Sequence, residues 1–197
     1  MNSAPRIALF SPNKEAYSES FIQRHKNLLN GEIFYFYGGF LPHSHEPVGN
    51  ILGNDWFRSL LINFGRGILN REQYDREYQI KRKLRKLKAN IILAEYGPTA
   101  VHSLEICKEL RLPLIVHFHG FDASYKETLT KYKADYIKVF EYASAIICVS
   151  DPMKKKLLAL GCPEKKLHKV RYCPDSKFFK IKPNYLEKNL LSISRFV

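Results

Sequence analysis

The 197-residue sequence predicts an α/β fold built on a doubly wound parallel sheet, and three features point to it. Short runs that are apolar throughout alternate with longer stretches of helical periodicity. The runs lack the in-out alternation of a half-solvated sheet, so they fit strands covered on both faces. Turn residues separate the two kinds of segment: Pro12-Asn13, Asn30-Gly31, Gly97-Pro98 and Gly161.

Taken in order, residues 6–11 (RIALFS) read as a first strand closed by Pro12 and Asn13. A helix follows, with Ser18 or Ser20 as its cap, Glu19 in its first turn, and Phe21, Ile22, His25, Leu28 and Leu29 as an inward stripe. Residues 32–37 (EIFYFY) read as a second strand and residues 38–50 as a loop dense in Gly and Pro. His43 and His45 in that loop have no third ligand nearby in sequence, so a solvated loop is expected rather than a metal site. Residues 56–69 have the pattern of an apolar helix, and residues 72–89 that of a strongly basic one. In the latter, Tyr74, Tyr78, Ile80, Leu84 and Leu87 recur at helical spacing while Lys81, Arg82, Lys83, Arg85, Lys86 and Lys88 fill the other faces. A solvated exterior is the expected role of these charges, ahead of a membrane or nucleic-acid contact.

Residues 90–96 (NIILAEY) read as a buried strand broken by Gly97-Pro98, and Thr99 opens a helix carrying Val101, Leu104, Ile106 and Leu110. Residues 112–116 form the central strand, a helix covers 125–142, and residues 145–150 (AIICVS) form the next strand. Ser150 or Asp151 caps a helix with Pro152 at an early position, Leu157 and Leu160 inward and Gly161 as its stop. Residues 167–172 are the last strand. Residues 1–182 therefore form one domain, and residues 183–197 a linker and the first strand of another.

A hydrophobic fraction of 45% supports a sizeable core and excludes wholesale disorder. The net charge of +13 calls for an anionic partner: nucleic acid, an acidic membrane or a phosphorylated small molecule. No nucleic-acid motif accompanies the charge, so nucleic acid is not expected, and no GxGxxG follows the first strand, which disfavours a dinucleotide oxidoreductase. No signal peptide is recognisable and no run reaches the roughly 18 to 20 apolar residues of a transmembrane segment. Cys107, Cys148, Cys162 and Cys173 show no CxxC pairing, and Cys107 and Cys148 read as small buried residues. A reducing, cytoplasmic setting is expected, with the protein free or peripheral on the inner face of the cell membrane.

Chemistry concentrates in residues 111–124 (RLPLIVHFHGFDAS). His117 and His119 are two apart and share a face if the strand persists, and Gly120 allows a sharp turn. These groups gather at the carboxyl end of the strand, where open α/β sheets bind ligands. His117 reads equally well as a hydrogen-bonded core residue.

The sequence resembles the N-terminal half of a retaining, group 1 glycosyltransferase of family 4, with the two-domain GT-B fold. The segments that carry the resemblance are SESFIQRHKNLL, AEYGPTA, LIVHFHGFDAS and FEYASAIICVSDPMKKKLLALGCPEKKLHKVRYCPDSKFF, in that order. NLLSISRFV is similar to the first strand of that family's C-terminal domain. The resemblance implies a Rossmann-like acceptor-side domain, working with a donor-binding C-terminal domain in cis. It implies a nucleotide-sugar donor, a glycan, lipid-linked or small-molecule acceptor, and no metal or other cofactor. His119 matches the family's histidine beside the donor sugar and is the expected catalytic residue. Ser18, Glu19 and Ser20 match the helix start that faces the cleft, and Glu95, Tyr96 and Gly97 the acceptor-side loop. His117, Gly120 and Asp122 complete the constellation, Asp122 reading either as an acceptor for a sugar hydroxyl or as a helix cap. Glu95 also reads as a strand-end residue with solvent access. Two departures stand out: SPNKEAYSES lacks the glycine pair that admits a pyrophosphate, and Cys173-Pro174 replaces the usual Gly-Val before Asp175. The 197 residues alone are expected to lack transfer activity. The alternative is a non-catalytic or split-enzyme binding module with a basic face for a partner chain or an acidic membrane.

Overall fold

The computed structural model describes residues 4–51, 71–174, 176–182, 190 and 192. The expected helix over 56–69, Asp175 and nearly all of the expected final strand lie outside the described residues. The chain lays down β1 (Arg6–Ser11), α1 (Ser20–Leu28), β2 (Glu32–Tyr37), β3 (Ser44–His45) and β4 (Gly49–Asn50). The basic helix α2 (Arg71–Lys86) precedes β5 (Ile91–Glu95), α3 (Gly97–Leu110), β6 (Leu114–His117) and α4 (Gly120–Ser124). Then come α5 (Lys126–Tyr142), β7 (Ala145–Cys148), α6 (Asp151–Ala159) and β8 (Leu167–Lys169).

The strands make one sheet in the order β4-β3-β2-β1-β5-β6-β7-β8. All pairings from β2 to β8 are parallel, and β3 and β4 add an antiparallel edge. β1 lies between β2 and β5, so the order of strands reverses there and opens a crevice beyond their carboxyl ends.

The period-2 alternation of the strands sorts side chains onto two unequal faces. Ala8, Phe10, Phe34, Phe36, Ile92, Ala94, Leu114, Val116, Ile146 and Cys148 enter the larger core, against Ile80 and Leu84 of α2, Ile106 of α3, Phe140 of α5 and Leu157 of α6. Ile7, Leu9, Tyr35 and Leu93 point the other way and meet Ile22 of α1. The same alternation sends Glu95 and His117 toward α1. A polar cluster therefore forms on the face with the thinner helical cover.

Local structure follows the sequence closely in most strands, although β8 ends at Lys169 and not at the expected Tyr172, and less closely at helix ends. Ser150 caps α6 by accepting a hydrogen bond from the Met153 N–H at 3.3 Å, and Gly161 turns the chain with φ +97°. α3 begins at Gly97 rather than Thr99, because Pro98 fits the first turn of a helix. The expected Ser18 or Ser20 cap is not formed. Tyr17–Glu19 makes a 3-10 turn, Glu19 takes the N-cap position without a side-chain capping bond, and both serines are exposed. The inward stripe of α1 is also narrower than expected: Ile22 is buried while Leu28 is 66% exposed. Cys107, Cys148 and Cys162 are buried and Cys173 is exposed, all as free thiols. Among the described residues no helix is long and apolar enough to cross a membrane.

The loop after β2 corrects a further expectation. Residues 44–45 pair with β2, and His45 packs its ring on Phe36 with centroids 4.6 Å apart, buried rather than solvated. Burial, with Lys83 adding repulsion, lowers its imidazole to about 4. The unfolded imidazole titrates near about 6.5. Between these values the unfolded chain takes a proton that the folded chain refuses, so stability is complete above about 6.5 and declines as pH falls. The thermal midpoint is expected to drop between pH 7.5 and pH 5, and His45→Leu to make that drop shallower. Thermal melts across this range check it; an equally steep drop in the variant would assign the effect elsewhere.

Candidate functional site

The carboxyl ends of β1, β5 and β6 converge beside the start of α1, around a groove of about 580 Å³. Asn13, Ser18 and Glu19 line it from the β1–α1 connection, Tyr96 and His119 from the ends of β5 and β6, and Gly120 and Phe121 from α4. Phe40 and Tyr172 complete its aromatic lining. The hydroxyl of Tyr96 donates to Glu19 Oε1 at 2.7 Å, and Asn13 Nδ2 donates to the same oxygen at 3.0 Å. Tyr96 makes this contact from a left-handed backbone with φ +75°, a conformation that stores strain in a non-glycine residue.

Behind the groove lies a fully buried carboxylate. Glu95 Oε1 is 2.7 Å from His25 Nδ1, and Oε2 is 2.9 Å from His119 Nε2 and 3.3 Å from His117 Nδ1. Burial alone would push this carboxyl up, but hydrogen bonds from His117, His119 and His25 outweigh it and hold Glu95 well below the usual range. Glu95 therefore stays ionised. Burial keeps His119 neutral by lowering its imidazole, with Glu95 opposing. With Nε2 donating to Glu95, the Nδ1 of His119 is the acceptor and the Tyr172 hydroxyl donates to it. Tyr96 and Phe21 hold the ring by contact, at centroid distances of 4.4 and 4.6 Å.

A second brace fixes the turn after β6. Asp122 is buried; its Oδ1 accepts the His119 N–H at 2.7 Å and its Oδ2 the Gly97 N–H at 2.6 Å. Of its two sequence readings, the geometry is that of the helix cap. Burial pushes this carboxyl up to about 7, against the backbone N–H groups that favour its charged form. Gly97 serves close packing: a Cβ there would lie 2.5 Å from the Phe118 ring and 2.8 Å from that of Tyr136.

The structure thus brings His119, Tyr96, Glu19, Ser18 and Gly120 to the groove. Glu95, Asp122 and Gly97 are buried behind it, His117 lines a neighbouring cavity, and Ser20 is exposed outside the groove lining. Glu95 has no solvent access, contrary to its reading as a plain strand end. The site also takes in His25, Tyr172, Phe21 and Phe40, which the sequence does not mark as site residues. A signal existed for His25, a polar residue in an otherwise apolar helical stripe. Aromatic walls with a few fixed polar groups suit a ligand with apolar ring faces and hydroxylated edges. His25, Glu95 and His117 also bring one potential metal-donor atom each within 4.8 Å of one another.

A family model described as Glycosyltransferase Family 4 matches residues 41–172. WcaL of Escherichia coli K12, named for colanic acid biosynthesis, is 29% identical over 99 residues, covering 49% of this chain and 24% of WcaL. The amylovoran biosynthesis glycosyltransferase AmsK of Erwinia amylovora is 29% identical over 96 residues, covering 48% of this chain and 24% of AmsK. The matches thus span about a quarter of these relatives. Among solved structures, HepE of Anabaena, in complex with UDP and glucose, superposes with a TM-score of 0.58 at 14% identity, over 87% of this chain and 45% of HepE. MnaA of S. aureus, solved with UDP, superposes with a TM-score of 0.51 at 13% identity, over 92% of this chain and 49% of MnaA. At such identities these two show the shared fold.

The brace predicts its own cost. Asp122→Ala leaves two buried N–H groups without an acceptor, at about 1–3 kcal/mol each. Urea unfolding is expected to show a loss of several kcal/mol, where a loss below about 1 kcal/mol would mean that the two donors find other partners.

Proposed function

This chain belongs to glycosyltransferase family 4, and from that premise we propose that it is the acceptor-side domain of a retaining transferase. The enzyme would move a sugar from a nucleotide-sugar donor to a glycan, lipid-linked or small-molecule acceptor in polysaccharide or cell-envelope biosynthesis. The observation that carries this reading is the groove where the order of strands reverses, aromatic-walled and with His119 beside it. The names of WcaL and AmsK support the biosynthetic setting, and the UDP and glucose in HepE support the donor class. A second domain in cis, holding the nucleotide, is part of this proposal, as is the absence of any metal or cofactor requirement for transfer.

Each groove residue then has a role in the proposal. The Tyr172 hydroxyl sits on the one acceptor nitrogen of His119, the place that a sugar hydroxyl takes when the tyrosine swings aside. A neutral imidazole there accepts a hydrogen bond, and Glu95 behind it stabilises positive charge as it develops near the anomeric carbon. Glu19, Ser18 and the start of α1 face the acceptor. Free thiols support a cytoplasmic location, and the lysines and arginines of α2 support peripheral contact with an acidic membrane. That basic face also carries the second reading, a binding module for a partner chain or membrane.

Transfer assays separate the two readings. A panel of nucleotide sugars is expected to give no turnover with the 197-residue chain and turnover with the product of its full reading frame. In that product His119→Ala is expected to lower kcat/KM by roughly 10²–10⁴-fold with an unchanged far-UV spectrum. Turnover by the 197 residues alone, or full activity in the variant, would overturn the assignment.

A further inference from the structure

We propose that His25, His117 and Glu95 form a binding site for a divalent transition metal, zinc foremost, set behind the sugar groove. Two imidazoles and one carboxylate are the donor set of open, four-coordinate zinc sites, which keep one position for water or another ligand. The three residues come from α1, β5 and β6, so the fold, and no local motif, assembles them. Their donor atoms lie within 4.8 Å of one another. Ligand atoms around a tetrahedral ion at about 2.0–2.2 Å sit roughly 3.3–3.6 Å apart. The two imidazoles meet the two oxygens of one carboxylate, which would face the ion with both: His117 Nδ1, at 3.3 Å from Glu95 Oε2, already has that spacing. His25 Nδ1, at 2.7 Å from Oε1, must draw back slightly, and its partly exposed position on α1 leaves room for that.

The surroundings supply the other parts of such a site. His119 Nε2 holds Glu95 Oε2 and is itself held by the Tyr172 hydroxyl, a chain of the kind that orients a ligating carboxylate. His117 Nε2 is buried with no hydrogen-bond partner, so the hydrogen bonding of that ring is directed at Glu95 through Nδ1. A second cavity, of about 210 Å³, is lined by His25, His117 and Tyr172 and gives an ion a route from solvent. The open coordination position faces this cavity, whose rim carries Arg24 and Arg171; water or an anionic oxygen completes the shell there. The metal would tie α1 to the sheet. This assignment does not rest on sugar transfer, and it adds a metal to a chain whose sequence predicts none.

The test uses the 197-residue protein stripped with chelator. Calorimetric titration with zinc chloride is expected to show one site tighter than about 1 μM and to raise the thermal midpoint. His25→Gln is expected to weaken zinc binding by at least about tenfold, and the exposed His168→Gln to leave it unchanged. Nitrogen-15 spectra of the wild-type histidines keep the test independent of the variants: zinc should shift the ring nitrogens of His25 and His117 and spare those of His168. Zinc binding weaker than about 1 μM, binding unaffected by His25→Gln in a protein with a native far-UV spectrum, or shifts confined to other histidines would overturn the site.

Discussion

One buried negative charge organises this domain. The Glu95 carboxylate has no exposed surface, and an ion in that position costs several kcal/mol unless partners repay it at close range. Three imidazoles do so, from residues separated from Glu95 by 70, 22 and 24 positions along the chain. Each partner fixes one element. His25 sets the rotation of α1, His117 ends β6 in register, and His119 places the turn that follows. The groove inherits its shape from these constraints, because His119, Phe21 and Tyr172 pack on one another around the same point.

The unequal dressing of the sheet explains why such a cluster is tolerated. The larger core is apolar and closed by helices α2, α3, α5 and α6. The other face has a small apolar patch under α1, and beyond its edge the strands present polar groups at their ends. Asp122 joins the two regions. By accepting N–H groups from the β6–α4 turn and from the first residue of α3, it locks the site to the rigid layer. The strained backbone of Tyr96, one residue earlier, is held in the same frame, so its hydroxyl reaches across to Glu19. Strain at a ligand groove is stable when the surrounding structure over-determines it.

Family membership fits this architecture. The match covers residues 41–172, from the loop after β2 to the tyrosine that meets His119. The structural neighbours are covered to just under half their length. The basic helix α2 packs through Ile80 and Leu84 and turns Arg82, Arg85 and Lys86 outward.

The sequence by itself determined the layer architecture, since apolar runs of strand length and helical stripes are local patterns with periods that depend only on backbone geometry. It also located the turn holding His117, His119 and Asp122, and narrowed the cap of α6 to Ser150 or Asp151, because these signals lie within a few residues of one another. Where polar residues met across the fold, the chain alone was silent. His25 looked like one more position of an inward stripe and Tyr172 like the tail of a strand, since pairing with Glu95 and His119 appears only when α1 and the segment after β8 close on the sheet. The small antiparallel edge that buries His45 was hidden for the same reason: two-residue strands have no periodicity to read, and only pairing with β2 makes them strands. Glu95 shows the division most plainly. Its position at a strand end was legible, but whether that end faced water or three histidines was decided by which helix the fold laid over it.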